Sequence, residues 1–371
     1  MYGDSSWVIY KLSSRRVVVK FGGSSVRNSF SEALELVKKL HDGNEVVVVL
    51  SALRGVTDLL LKLAESRSTE ILEKFEEIHL EAIEKLGVDL NIENEIKELK
   101  FVLKNEKMFP NRKAYIDHVL SFGERLSVKL FSRALKDEGL KSTPVDAFYL
   151  IETDGNFGNA KVNLEKTREN IWRIEALLNR DKVPVVTGFL GNFNGFRTTL
   201  GRGGSDYTAS VLGHLLNARA VLIMSNVKGI YTADPRLVKD ALLIPFISYE
   251  EALIASRLGL KALHERTIEP IRDKVPLILG KTSEWKLGTL VSDISLKMPI
   301  ITYKILGDKA KVGVVGASCV DVQYPIAEQG DTYVCFFVDK IELKEALNEI
   351  HGVILNESIS AGNDSELWAR I

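Results

Sequence analysis

Val17-Val18-Val19-Lys20-Phe21-Gly22-Gly23-Ser24-Ser25 is a β-branched run that ends in four small residues. Such a run reads as a buried strand feeding a tight turn. Behind the turn, Leu34, Leu36, Val37 and Leu40 fall on or near one helical face. Glu45-Val46-Val47-Val48-Val49-Leu50-Ser51 then reads as a second buried strand. The chain therefore opens β-α-β, the repeating unit of a parallel sheet covered by helices.

The same rhythm returns later. Val183–Phe189, Ala220–Ser225 and Pro276–Leu279 read as strands, and Ser205–Leu216 and Tyr249–Leu258 as helices. Between the two β/α blocks, about 59–116, Leu59–Leu86 and Asn94–Asn105 carry helical spacing with charges between. That excursion reads as a lid, as a substrate-side wall or as a solvated helical decoration. From about 299 a smaller unit begins, with strands expected over Lys311–Val315 and Tyr333–Val338 and a helix over Ile341–Ile350. The tail Ser358–Ile371 is polar.

Bulk properties narrow the class. Hydrophobic residues make up 45% of the 371 and charged residues 27%, an ordinary globular balance for two or three domains. A net charge of −1 gives no bulk attraction to nucleic acid or to an anionic membrane surface, so neither is expected as a partner. Two cysteines, Cys319 and Cys335, make no disulfide framework. With no apolar core of a secretory signal in the first residues, and no apolar run long enough to span a bilayer, the expected location is cytoplasmic. The histidines show no metal-ligand spacing, and no protein metal site is expected.

Three segments carry chemistry. In Lys20–Ser25, two glycines after a strand let the backbone approach a ligand, and Lys20 adds a mobile cation. The spacing is not that of a Walker A loop, and a plain tight turn is the alternative. Thr198–Ala209 packs three glycines, hydroxyls, Arg202 and Asp206 before a helix. Arg202 suits a bidentate carboxylate contact, while Asp206 is open to a plain helix-cap explanation. Ser225–Arg236 follows a strand with polar groups and Tyr231, a composition that suits a base and ribose site or a surface loop.

Taken together, these segments resemble the aspartokinases within the amino-acid kinase superfamily. The resemblance spans about 17–292. It rests on KFGGSSV (20–26), SALRGVTD (51–58), SFGERLS (121–127), TDGNFGNA (153–160), VVTGFLGNFNGFRTTLGRGGSDYTA (185–209), GIYTADPR (229–236) and SYEEALIASRLGLKALHERTIEP (248–270). It implies a three-layer αβα fold with a mainly parallel sheet over 1–297, with an acceptor lobe and a nucleotide lobe. A reduced, ACT-like α+β domain would occupy 298–371. It also implies ATP and Mg²⁺, transfer to the side-chain carboxylate of aspartate as the first step toward aspartate-family amino acids such as lysine and threonine, and a homodimer, with a separate regulatory subunit left open.

Carried over by motif, the resemblance makes Lys20, Asp206 and Lys261 catalytic. Ser51, Thr57, Glu124, Arg202 and Ser205 would hold the acceptor. Lys20, Gly22, Gly23, Ser24, Ser225, Asn226, Tyr231, Arg236 and Lys261 would hold the nucleotide. The chemistry agrees: aspartate offers one ammonium and two carboxylates, which one Glu, one Arg and small hydroxyls complement. A carboxylate acceptor is already ionised at neutral pH, so no general base is needed. Catalysis then reduces to positioning and charge stabilisation. Glu124 also reads as a first-turn helix carboxylate, Thr57 as a helix cap, Lys261 as a surface lysine, and His118 and His264 as structural groups.

Three departures stand out. Ser225-Asn226-Val227-Lys228-Gly229 replaces the family's T-D-V-D-G, and Leu263-His264-Glu265-Arg266-Thr267 replaces L-H-P-R-T. The residues from 298 onward are too few for the two ACT modules usual in the family, with the intervening helix and strand shortened or missing, so weak or no inhibition by lysine or threonine is expected. Homoserine as acceptor, with Asp206 as base, and a non-catalytic regulatory paralogue are the competing readings.

Overall fold

The computed structural model describes residues 16–360. The strands are β1 (Arg16–Phe21), β2 (Glu45–Leu50), β3 (Ser142–Val145), β4 (Val183–Thr187), β5 (Leu190–Phe193), β6 (Phe196–Thr199), β7 (Ala220–Ser225), β8 (Phe246–Ser248), β9 (Leu277–Lys281), β10 (Lys286–Ser292), β11 (Ile300–Leu306), β12 (Lys309–Val315), β13 (Ile326–Gln329) and β14 (Tyr333–Asp339). The helices are α1 (Gly23–Asn28), α2 (Phe30–His41), α3 (Val56–Ser66), α4 (Thr69–Leu86), α5 (Glu93–Lys104), α6 (Arg112–Asp137), α7 (Leu164–Asn170), α8 (Trp172–Leu178), α9 (Gly204–Leu215), α10 (Tyr249–Leu258), α11 (Glu265–Ile268) and α12 (Leu343–Ser360). The polar tail read from Ser358 lies, past Ser360, outside the described residues. Among the described residues no helix is long and apolar enough to cross a membrane.

The fold is α/β, with a main sheet of eight strands, and the chain divides into two compact units. The first holds residues 1–226 and 280–286. Its strands run in the order β3-β4-β2-β1-β7, with every neighbouring pair parallel. Val17, Val18 and Val19 pair with Val46, Val47 and Val48 on one side, and with Ala220, Val221 and Leu222 on the other. These strands are buried almost throughout, as continuous aliphatic runs must be when helices cover both faces. Helix α2 packs on β1 and β2 and α9 on β1, β2 and β7, while α6 runs against β3 and β4.

The excursion before α6 is helical, as its spacing predicts, and it is not a mere solvated decoration. Helix α4 is capped by Ser68, whose hydroxyl accepts from Ile71 N, and ends at Gly87 in the left-handed conformation. Buried Leu60 and Leu63 of α3, Phe75 of α4 and Leu99 of α5 turn inward, and α3, α4 and α5 all pack on α6. Helix α6 is N-capped by Asn111, whose side chain accepts from Ala114 N at 2.9 Å. It runs 26 residues and carries the SFGER segment through its middle.

The second unit holds 227–279 and 287–371. Its strands β9, β10 and β8 are neighbours in the main sheet. Beyond them stands a separate four-stranded antiparallel sheet in the order β11-β12-β14-β13. One face of that sheet, with Val312, Val314, Val334 and Phe336, packs on Leu343, Leu347 and Ile350 of α12. The sequence read two of its strands and the helix. It read a shortened intervening helix and strand, and the structure has no helix in 316–325 and a four-residue β13.

Candidate active site

The strand end of β1 and the start of α1 are tied to the neighbouring loop by backbone bonds. Ser51 N donates to Phe21 O at 3.2 Å, and Arg54 N to Gly23 O at 3.1 Å. Gly23 must be glycine, because a Cβ there would lie 2.5 Å from Ala52 O. Gly22 N–H is used internally, donating to Met224 O at 3.2 Å, so it does not point at a ligand as the sequence suggested. Ser25 is likewise occupied, with its hydroxyl 2.7 Å from Thr282 Oγ1.

Beside these loops lies a cavity of about 260 Å³ lined by Lys20, Ser51, Thr57, Glu124, Phe189, Gly201, Gly203, Gly204, Ser205 and Asp206. That size suits a small metabolite better than a drug-sized ligand. Six of its lining residues are ones the sequence singled out. Lys20 is 8% exposed, and its ammonium pairs with Asp206 Oδ1 at 2.5 Å. A buried cation of this kind needs a paired anion to offset its lost hydration. Asp206 stands in the first turn of α9 but does not cap it, since the N-cap is Gly203 at φ 73° with no side-chain bond. The helix start contributes its positive end and the Ser205 hydroxyl to the same wall. Thr57 is the second residue of α3, after an N-cap at Gly55, so it is not the cap either.

Glu124 is the unusual group. It sits mid-helix in α6, not in a first turn, and is 3% exposed. Its Oε1 accepts from Ala52 N at 3.1 Å, while Oε2 has no hydrogen-bond partner in the protein. Burial pushes its carboxyl up to about 8, against the Ala52 N–H that favours the charged form. Helix α6 can come this close because Gly123 lacks a side chain, and a Cβ there would lie 2.8 Å from Ala52 Cβ and 3.1 Å from Val56 Cγ1. Such an oxygen, on a residue that lines a small cavity, leaves hydrogen-bonding capacity unused within the protein.

Arg202 is not brought into the cavity. It is exposed on the loop between Gly201 and Gly203, both of which do line the wall. Ser24 lies in α1 and is half-buried. The structure adds Phe189, which has a left-handed φ of 68° and is held by Thr208 Oγ1 accepting from its N–H at 3.1 Å. No sequence signal marks a phenylalanine for that conformation. Asp117 was also not singled out. Its buried carboxylate accepts from Gly158 N, Thr199 N and Thr199 Oγ1 at 2.8–2.9 Å, fixing the TDGNFGNA loop and β6 to α6. Burial nonetheless raises it to about 6.

The residues expected to hold a nucleotide fall partly in the first unit, with Ser225 ending β7 and Asn226 following it. Tyr231, Arg236 and Lys261 belong to the second unit. There Arg236 forks onto Asp234 at 2.9 and 2.6 Å and holds that carboxyl well below the usual range. Lys261 is half-exposed and contacts Asp234 and Tyr303. His264 caps α11 through Nδ1, and His118 is half-buried beside Glu98 with its pKa lowered by burial; neither lines the cavity. Among the described residues no group of three or more His, Cys, Asp or Glu side chains is placed to hold a metal ion.

Residues 15–281 match the model of the amino acid kinase family. The chain belongs to the amino acid kinase family. Within it, the sequence is similar to aspartokinases. It is 35% identical to lysine-sensitive aspartokinase 3 of Escherichia coli over 300 residues, which cover 77% of this chain and 66% of that protein. It is 34% identical to the aspartokinase of Chlamydia muridarum over 76% of this chain and 65% of that one. It is 36% identical to chloroplastic aspartokinase 2 of Arabidopsis thaliana over 69% and 50%. The chain thus spans slightly under two thirds, or less, of the length of these relatives. Among solved structures it resembles Escherichia coli aspartokinase III in complex with aspartate and ADP, with a TM-score of 0.80 at 23% identity, covering 91% of this chain and 99% of that one. At that identity the likeness speaks for the fold.

Proposed function

We propose that this chain transfers the terminal phosphoryl group of ATP to the side-chain carboxylate of aspartate. The observation that carries this is Glu124, a buried carboxyl with one unpartnered oxygen, in a residue lining a cavity that also holds the hydroxyl residues Ser51, Thr57 and Ser205, the start of α9, Phe189 and the Lys20–Asp206 pair. An amino-acid zwitterion fits that set. Its ammonium replaces the missing partner of Glu124, and its carboxylates meet Ser51, Thr57, Ser205 and the positive end of α9. Arg202, exposed beside this wall, would close on the acceptor from outside. The family relatives are aspartokinases, and one structural neighbour holds aspartate and ADP, which supports the same ligands here.

The acceptor carboxylate is the nucleophile and arrives ionised. The protein therefore has to align it and spread positive charge around the moving phosphoryl group. Lys20 supplies that charge, and Asp206 fixes its ammonium in place. ATP would be held by Gly23, Ser24, Ser225, Asn226, Tyr231, Arg236 and Lys261, with Gly22 tying the loop to β7 through its N–H on Met224 O. Mg²⁺ would be carried in on the phosphates, where it would neutralise their charge. We assign 1–297 to catalysis and 298–371 to a reduced ACT-like domain, and expect a cytoplasmic homodimer.

Homoserine is disfavoured as acceptor because its hydroxyl needs a base and Asp206 is committed to the Lys20 ammonium. ADP release measured with aspartate and with homoserine, in wild type and Lys20→Ala, tests the reading. Turnover is expected with aspartate and to fall by about 10²–10³-fold in Lys20→Ala, with little change in aspartate affinity. Turnover with homoserine alone, or an unaffected variant, would refute it.

A further inference from the structure

Tyr303, on β11 of the C-terminal sheet, bonds two segments that the sequence keeps apart. Its hydroxyl donates to Asp234 Oδ2 at 3.2 Å, and the Lys261 ammonium lies 4.0 Å from the centre of its ring and also contacts its hydroxyl. Asp234 Oδ2 is 3.5 Å from the same ammonium and is gripped by Arg236. The backbone around Tyr303 is fastened on both sides. Ile301 N donates to Thr232 O at 2.7 Å, next to the Asp234 segment. Thr302 Oγ1 donates to Leu258 O at 3.1 Å, next to the Lys261 segment. Gly259 must be glycine here, with φ at 116° and a Cβ that would fall 2.5 Å from Tyr303 O.

We propose that Tyr303 is a positioning residue for Lys261, through which the C-terminal sheet sets where that cation is presented to the nucleotide phosphates. This rests on the kinase reading above. A lysine on its four-carbon stem samples many rotamers. The aromatic face and the Asp234–Tyr303 hydrogen bond select one and hold it half-exposed, with a donor left for a polyanion. The sheet thereby acts on phosphoryl transfer without touching substrate.

The test compares Tyr303→Leu, which removes ring and hydroxyl, with Tyr303→Phe, which keeps the ring, in the full chain. Tyr303→Leu should lower kcat about tenfold and raise the ATP KM at least threefold, leaving the aspartate KM within twofold. Tyr303→Phe should fall between it and wild type. In a Lys261→Met background Tyr303→Leu should add less than a further twofold. Wild-type kinetics, or a full effect in that background, would overturn the proposal. A second readout does not need kinase activity: acetylation of Lys261 by a water-soluble succinimidyl ester, followed by peptide mass spectrometry. It should speed up at least threefold in Tyr303→Leu while Lys309 stays unchanged. If aspartate is not turned over but Lys261 labelling rises, the kinase reading fails and the positioning stands. Unaltered labelling sinks the positioning whatever the turnover.

Discussion

Glu124 accepts one hydrogen bond, from Ala52 N, its other oxygen has no partner within the protein, and burial lifts its carboxyl to about 8. At pH 7 it therefore holds a proton that an incoming ammonium must displace. The sign follows directly: acceptor binding releases a proton, and affinity climbs with pH by roughly tenfold per unit until about 8, then levels. Calorimetry of aspartate binding at pH 7 in two buffers of different ionisation enthalpy should show release of about one proton. In Glu124→Gln this release should vanish and binding should weaken severely. Proton uptake, or affinity flat from pH 6 to 8, would contradict the assignment. The sequence named Glu124, Lys20 and Asp206 through their motifs, and the structure brings all three to one cavity. It could not show that Asp206 faces Lys20 and does not cap α9, because both roles put an acid in a helix's first turn. Nor could it place Arg202, whose glycine-flanked loop fixes the backbone but not the guanidinium.

At the scale of elements, the parallel core was legible because β1, β2, β4 and β7 are runs of aliphatic residues, and burial on both faces leaves no other pattern to write. The capped helices were legible too, with Tyr249–Leu258 read to the residue. Strand β11 escaped notice because Ile300–Leu306 alternates weakly and ends exposed. The span of α6 was hidden by its composition, since Ser121, Gly123 and Ser127 break the apolar period of a helix buried on most sides. Those small residues are what let α6 approach Ala52 and Val56. Gly123→Ala should therefore push α6 off this loop despite its better helix propensity, costing about 1–3 kcal/mol of stability. It should raise the aspartate KM more than it lowers kcat. A variant as stable as wild type with an unchanged aspartate KM would show that the close approach has no part in placing Glu124.

At the scale of the whole molecule, each unit has its own task in the proposed reaction. The first contains the whole lining of the cavity proposed for the acceptor, and the second contains Tyr231, Arg236 and Lys261 together with the antiparallel sheet that holds Lys261 through Tyr303. The relatives are longer than this chain, so the reaction has to be shown on this chain itself. Family motifs carried the fold, and they named six residues that line one cavity. The link from the C-terminal sheet to Lys261 depends on Tyr303, which no motif contains. The direct measurement is incubation of the full chain with ATP, Mg²⁺ and hydroxylamine, with aspartate or homoserine as acceptor and the products identified by mass. The account predicts aspartyl hydroxamate with aspartate, formed through an acyl phosphate, and no hydroxamate with homoserine. A stable phosphate ester from homoserine, or ADP release with aspartate that leaves no trapped hydroxamate, would contradict it.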